Sequence, residues 1–493
     1  MKHSIDGAGR AAPAAASRPA AASRPTAASR PTAASRPAAA LGITRACILA
    51  FVLALPGCAT FSPDGGFGVV AGQARAHLDK EVSWPRTEDE IAKNGAESAR
   101  LLAQPLTADA AVQVALLDNR SLQAAFEELG ISEAELVQSG RLPNPRFSLR
   151  HAGAAGAYDI EEDVTVNVLA LAATPAAHDL EKRRFAQTQQ RALLAVAQLA
   201  ARTRSAFIGA VAAAESVHYL EQVELAAGSG AELARRMQAA GNWTALDRAR
   251  EQGFEAEAAR DLEQAKLEAA AAREALARLL GTPSDESSLH LTDRLPDLPP
   301  IAAPAPDEDA ALLQERIDLR IGRQRIDALA HELRLVKATR FIDVLDAGPT
   351  RVRQGGESSP YERGYEIDFE VPLFDGGGAR VRRAEAIYRA AVDRYAQAVV
   401  EARSQIRGAA AACRARFEIA RMQRDEVIPR VKAVAGEDLR RYNAALVSVF
   451  DLLSDARSEM ASVDTYIRDV RDFWVAKADL DASMLGGNAH DDP

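Results

Sequence analysis

Residues 361–388 read YERGYEIDFEVPLFDGGGARVRRAEAIY. Tyr365, Ile367, Phe369, Val371 and Leu373 alternate with Glu366, Asp368 and Glu370. That period of two predicts a strand with one apolar face and one acidic face. The run stops at Pro372 and the Gly376-Gly377-Gly378 elbow, then continues as an Ala- and Arg-rich helix far beyond ordinary globular length. A soluble sheet with three acids on its wet face fits the alternation alone. A strand of spanning length that feeds so long a helix instead predicts a β-barrel mounted on a helical tube.

The same arrangement occurs twice. Upstream, Arg146-Phe147-Ser148-Leu149-Arg150 alternates, as do Val164, Val166 and Val168 against Thr165 and Asn167. Downstream, Ile342 and Val344 alternate with Asp343, ahead of the strand from Tyr365. Residues 152–162 and 353–364, rich in small and charged side chains, read as hairpin loops. The predicted strand pairs are about 144–171 and 340–373, followed by helical hairpins at about 176–280 and 379–485.

Those helices carry heptads. Tyr388, Val392, Tyr395, Val399, Ala402, Ile406, Ala409 and Cys413 step alternately by four and three, as do Leu453, Ala456, Met460, Val463, Ile467, Val470 and Trp474. Such spacing makes coiled-coil seams, and places Cys413 in a core rather than in reactive chemistry. Pro429 is expected to kink the second long helix, with Gly228 and Gly230 near the corresponding point of the first. Four strands cannot close a barrel, since the smallest membrane barrels need about eight. An open edge cannot face lipid, so other chains must complete the sheet.

Each hairpin turns at a hydroxyl-x-x-acid pair, Thr244/Asp247 and Ser448/Asp451, 204 residues apart. This is the pattern of a capping box, in which hydroxyl and acid satisfy the backbone of a first helical turn. A second role is compatible with the first. At the mouth of a pore, Asp247, Asp451 and, one turn on, Asp455 would form an acidic gate, with Arg248, Arg250 and Arg457 as nearby partners.

The formal charge of −9 argues against a nucleic-acid partner, and aromatics at 5% suit long, closely packed helices. Residues 1–57 begin with a Ser-Arg-Pro repeat at Ser17, Ser23, Ser29 and Ser35 that cannot bury a core. A short apolar run from Ala46 to Leu55 follows, too short to span a bilayer as a helix. It ends in Leu55-Pro56-Gly57-Cys58, which resembles a bacterial lipoprotein box, with Cys58 as the lipidated residue. An ordinary secretory signal with an incidental cysteine is the plainer alternative. Ala59, rather than Asp, then implies the outer membrane by the same resemblance. Beyond residue 57 the chain holds 53 basic and 68 acidic residues, a formal −15.

Enzyme readings find no support. Gly376-Gly377-Gly378-Ala379-Arg380 lacks the lysine and hydroxyl of a phosphate cradle, and the histidines show no metal-ligand spacing. No cofactor or metal is expected.

In order, the Cys58 box, Leu106 to Leu122, Leu142-Pro143-Asn144-Pro145, Val371 to Gly377, Ile428-Pro429 and the two turns resemble the TolC-like outer-membrane efflux proteins over about residues 100–485. Two departures stand out: Leu171-Ala172-Ala173-Thr174-Pro175 replaces a glycine elbow in the first repeat, and Ala445 replaces a turn glycine. The resemblance implies a homotrimer whose chains each give four strands to one shared β-barrel and whose helices build a periplasmic α-barrel. It further implies a passive exit duct in the outer membrane of a Gram-negative bacterium, working with a periplasmic adaptor and an inner-membrane transporter. In that arrangement Glu366, Asp368 and Glu370 line the lumen while the apolar face meets outer-membrane lipid. Domains are expected at 58–105 (an N-terminal periplasmic segment), 106–300 and 301–485 (the two repeats) and 486–493 (a tail). A lipid-anchored periplasmic helical scaffold without a pore is the alternative, and it has no need of amphipathic strands.

Overall fold

The structure, a computed structural model, describes residues 60–154, 157–281, 289–300, 310–341, 344–356, 359–370, 374, 376–444 and 446–487. The leader, Cys58, Ile342, Asp343, residues 371–373, Ala445 and the end of the tail fall outside the described residues. Helices α1 (Phe67–Leu78), α2 (Glu88–Leu102), α3 (Ala108–Asp118) and α4 (Arg120–Ser139) precede β1 (Arg146–Ala154) and β2 (Ala157–Asn167). Then come α5 (Val168–Ala239), α6 (Ala245–Leu280), α7 (Ala310–Glu315) and α8 (Ile317–Ala338). The second strand pair, β3 (Val344–Gly355) and β4 (Glu362–Glu370), leads into α9 (Gly378–Met422), a π-helical turn (Gln423–Val427), α10 (Ile428–Asn443) and α11 (Val449–Leu485). Among the described residues no helix is long and apolar enough to cross a membrane.

The strands form one antiparallel sheet in the order β1-β2-β3-β4. They run further into the loops than expected: β1 and β2 pair as far as Ala154 opposite Ala157, and β3 continues to Gly355. At the helical end β2 is shorter than expected, because Asn167 caps a helix that starts at Val168, its Oδ1 accepting from the Ala170 amide at 2.5 Å. Val168 therefore belongs to α5, and Pro175 sits eight residues into it, where Thr174 donates to the Ala170 carbonyl. The first repeat thus passes straight from strand to helix. The second turns at an elbow in which Gly376 and Gly377 take φ values of 57° and 69°. A Cβ on Gly377 would collide with the Arg340 carbonyl.

Helix α5 spans 72 residues, about 108 Å at 1.5 Å per residue. It runs unbroken through Gly228 and Gly230. Its neighbours include α1, α3, α4, α6, α8 and α11, which explains why it buries more than one face. The equivalent helix in the second repeat is interrupted at Gln423–Val427, just before Pro429. Proline cannot donate to the carbonyl one turn back, and a π turn re-phases the ladder there. Gln423 uses the slack to donate to Ser462 at 2.9 Å. The heptad seam is buried at Ala402, Ile406 and Cys413, whereas Val392 is exposed in the single chain.

The main core lies midway along α5, where Phe207, Leu276, Leu280, Phe417 and Phe473 cluster. Leu106 and Leu291 pair there, Leu106 N donating to His290 O at 2.7 Å. Two junctions set the helix directions. Asn119, between α3 and α4, accepts from Leu122 N and donates to Leu279 O at 2.9 Å. Its counterpart Arg316, between α7 and α8, is 2% exposed. Its guanidinium forks onto Asp318 at 3.0 and 2.7 Å, donates to Ser483 O at 2.7 Å and reaches Gln405 at 3.0 Å. At both junctions the returning helix ends in a left-handed glycine, Gly281 against Asp118 and Gly486 against Asp318, where no Cβ fits.

Removing the Arg316 fork strands a partly buried carboxylate and the carbonyls of Ser483 and Ala402. Arg316→Met should lower stability by roughly 3 kcal/mol, with Arg316→Lys recovering only part, as read by thermal unfolding. A methionine variant as stable as the original would show that the junction is held by packing alone.

Candidate functional site

Two regions concentrate charge in an arrangement that a soluble globule does not need. The first is the sheet. Residues directly opposite in register share a face, so Glu366, Asp368 and Glu370 of β4 lie with Gly348, Asp346 and Val344 of β3, and these with Thr165, Asn167 and Asp163 of β2. Arg146 and Arg150 of β1 complete that face. The opposite face carries Phe147, Leu149, Val164, Val166, Leu345, Tyr365, Ile367 and Phe369.

The acids of the two inner strands are shielded, whereas Asp368 and Glu370 of β4 are exposed and so are the large apolar side chains of the two edge strands. Asp346 and Asp163 are 5% and 8% exposed, whereas Tyr365, Phe147 and Phe369 are 81%, 75% and 67% exposed. Leaving five large apolar side chains in water forgoes roughly 10 kcal/mol, as much as the whole stability of a typical domain. Water is therefore not the medium for which this face is built. At the shielded acids Thr350 Oγ1 donates to Asp163 at 2.5 Å, and Arg146 approaches Asp346 at 3.4 Å.

The second region is the turn end of the hairpins. Thr244 and Asp247 form a capping box at the start of α6: the hydroxyl accepts from Asp247 N at 3.2 Å and the carboxylate accepts from Thr244 N at 3.1 Å. Ser448 and Asp451 repeat it at the start of α11, with 3.2 and 3.0 Å. The Thr244 hydroxyl and backbone hold the Asp247 carboxyl below its ordinary pKa, and Ser448 does the same for Asp451. Asp455 differs. A side-chain contact with Asp438 of α10 comes first, then burial, and the two push it above the ordinary value, with Asp451 adding to the effect.

The arginines sort differently from the sequence expectation. Arg250 pairs with Asp247 at 3.8 Å and lies 5.4 Å over the Phe450 ring, linking the two turns. Arg457 turns away from Asp451 and Asp455 to pair with Glu251 of α6, its guanidinium 4.6 Å from the Phe254 ring. Arg248 Nε is buried without a hydrogen-bond partner among the described residues. Glu251, 1% exposed, is the residue that sequence reading missed. It lies close to Gly230, and its ion pair with Arg457 crosses from α6 to α11. Its one signal was an acid one turn beyond the capping Asp247. Among the described residues no cluster of His, Cys, Asp or Glu is arranged to hold a metal ion.

The two kinds of acid predict opposite pH responses. A lowered folded pKa makes the Asp451 cap fully effective above the ordinary aspartate value and loses it as pH falls through the lower one. A raised folded pKa makes the folded tip favour protonated Asp455, a benefit lost as pH rises through the higher value. Asp455→Asn should therefore slow amide exchange around 449–456 at neutral pH, whereas Ser448→Ala should quicken it. An asparagine variant that exchanges no more slowly would remove the strained-acid account.

No protein-family model matches the chain, and no curated protein matches it in sequence. Solved structures do match in fold. The Campylobacter jejuni CmeC outer membrane channel superposes with a TM-score of 0.67 at 15% identity, over 84% of this chain and 91% of its own. The Vibrio cholerae outer membrane protein VceC gives 0.64 at 16%, over 78% and 97%. The open-state MtrE outer membrane channel of Neisseria gonorrhoeae gives 0.64 at 17%, over 77% and 88%. With the four-stranded sheet and the paired helical hairpins, these likenesses show that the chain has the fold of these outer-membrane channels.

Proposed function

We propose that the chain assembles as a homotrimer into a passive exit channel across the outer membrane. It would work with a periplasmic adaptor and an inner-membrane pump in a tripartite efflux or secretion system. The observation that carries this reading is the sheet, with the apolar side chains of its edge strands exposed, the inner-strand acids Asp163 and Asp346 shielded, and both edges, β1 and β4, unpaired among the described residues. Lipid satisfies the apolar face, a water-filled lumen the acidic one, and neighbouring chains the edges. Energy for transport comes from the pump, and no catalytic residue is assigned. A scaffold without a pore leaves the exposed aromatic face without a purpose.

In the trimer the turns form the periplasmic mouth. Three copies each of Asp247, Asp451 and Asp455 gather carboxylates there, and such a ring favours cations. The capping boxes hold Asp247 and Asp451 in place, so capping and selectivity are two uses of one geometry. Cys58, by its box, carries lipid and adds an anchor to a barrel that inserts in its own right.

Planar-bilayer recordings test the duct. The unaltered protein should give discrete, cation-preferring channels. Phe369→Arg should cost roughly 2–4 kcal/mol in the membrane and depress insertion. Glu370→Arg should insert normally with weaker cation preference, and Asp247→Ala with Asp451→Ala should weaken it further. Equal tolerance of both strand substitutions, or no conductance at all, would sink the reading.

For the anchor, Cys58→Ser behind an ordinary cleavable signal should lose acyl label yet still fractionate with outer membranes. A folded, wholly soluble variant would show that the lipid alone holds the chain there.

A further inference from the structure

In the half nearer the turns the helices lie in the order α6, α5, α11, α10, and nearer the sheet in the order α4, α5, α8, α9. With the sheet order β1 to β4, one chain therefore has two open edges. One is built of β1, α4 and α6, the other of β4, α9 and α10. Their charges are opposed at every level. Strand β1 holds two arginines and no acid, while β4 holds four acids and one arginine. Below the sheet the signs exchange. Helix α9 holds ten arginines against four acids, a formal +6, and α10 is +2. Helix α4 holds four acids and one arginine, a formal −3, and α6 holds eight acids and six basic residues, a formal −2.

We propose that the seam between copies is keyed by this charge pattern: the β1–α4–α6 edge of one copy docks on the β4–α9–α10 edge of a second copy of this chain, and the reversal of sign between sheet and helices sets their axial register. The inference rests on the duct reading above and says which surface makes the ring. Arg146 and Arg150 are 75% and 70% exposed on the β1 edge, and Glu366 and Glu370 wait on β4. On α9, Arg394, Arg403 and Arg414 are exposed and form no ion pair within the described residues. Exposed apolar side chains supply the contact area, Ile419 and Met422 on α9 and Leu267 on α6.

The pattern also excludes alternatives. Docking an edge on its own copy, as in a two-fold dimer, sets β1 arginines against β1 arginines and the +6 helix against itself. Only head-to-tail docking pairs unlike signs, and a ring is what that geometry forms when its rotation closes. A large axial slip brings the β1 arginines towards the arginines of α9, which works against misregistered assembly.

Charge reversal tests the key. Arg414→Glu with Arg421→Glu alters α9, and Glu268→Arg with Glu274→Arg alters α6 at a matching distance from the turns. The readout is the trimer fraction of the purified full chain in detergent at limiting concentration, with far-UV circular dichroism to verify that the helices form. Each pair alone should reduce the trimer about tenfold, and all four in one chain should restore it. Added salt should weaken assembly of the unaltered protein. A conducting trimer indifferent to each reversal, or a fourfold variant no better than either pair, overturns the key while leaving the duct intact. An unaltered chain that stays monomeric overturns the duct reading and the seam with it.

Discussion

The constraint on which everything else depends is that backbone N–H and C=O groups at a strand edge must be paired wherever lipid replaces water. A four-stranded sheet with an apolar outer face meets that demand only when its edges find partners. The sheet here has both features at once, since Phe147, Leu149, Tyr365 and Phe369 face outwards and β1 and β4 are unpaired among the described residues. A soluble protein would have turned the same residues inwards. The helical part inherits its shape from this requirement. Strands that stand side by side in a closed wall must be followed by helices that also stand side by side, which favours long parallel hairpins over a compact bundle.

Holding such hairpins in line is a separate physical problem. A helix of about 108 Å gains little from its own hydrogen bonds in choosing a direction. The direction is set where another element crosses it. Asn119 and Arg316 do this in the two repeats by different chemistry, one with an amide and the other with a guanidinium fork, at equivalent helix junctions. Each is backed by a left-handed glycine that lets the returning helix close up. The repeats diverge where their local sequences demand it. Asn167 starts a helix directly after β2, whereas the second repeat needs a glycine elbow. Pro429 is absorbed by a π turn, whereas α5 runs on unbroken.

At the turn end, local and long-range interactions share the same side chains. The capping acids are held by the backbone they cap, so their charge is fixed in position and stays ionised. Asp455 meets Asp438 across the hairpin, and that crowding stores electrostatic strain in the tip. The Glu251–Arg457 pair joins one hairpin to the other. A turn end built in this way combines a capped first turn with a contact between hairpins that depends on charge.

Much of this was legible in the sequence because it is written in short-range periodicity. The alternation around Tyr365, the seam through Ala402, Ile406 and Cys413, and the hydroxyl-x-x-acid turns each depend on residues a few positions apart. Strand ends were less legible. Val168 fits a period of two, and only the Asn167 side chain, by capping the next helix, ends the strand before it. The partners of Arg457 and Asp455 were not legible at all, because Glu251 and Asp438 lie on other helices and only packing brings them near. The sequence by itself determined two faces for each strand, a seam for each long helix and an acid at each turn, since those follow from the spacing of side chains along one element. Tertiary structure alone decided which acids are shielded, which acid meets an arginine and which edges stay open. Those depend on how separate elements come together in space, and residue spacing within one element carries no record of that.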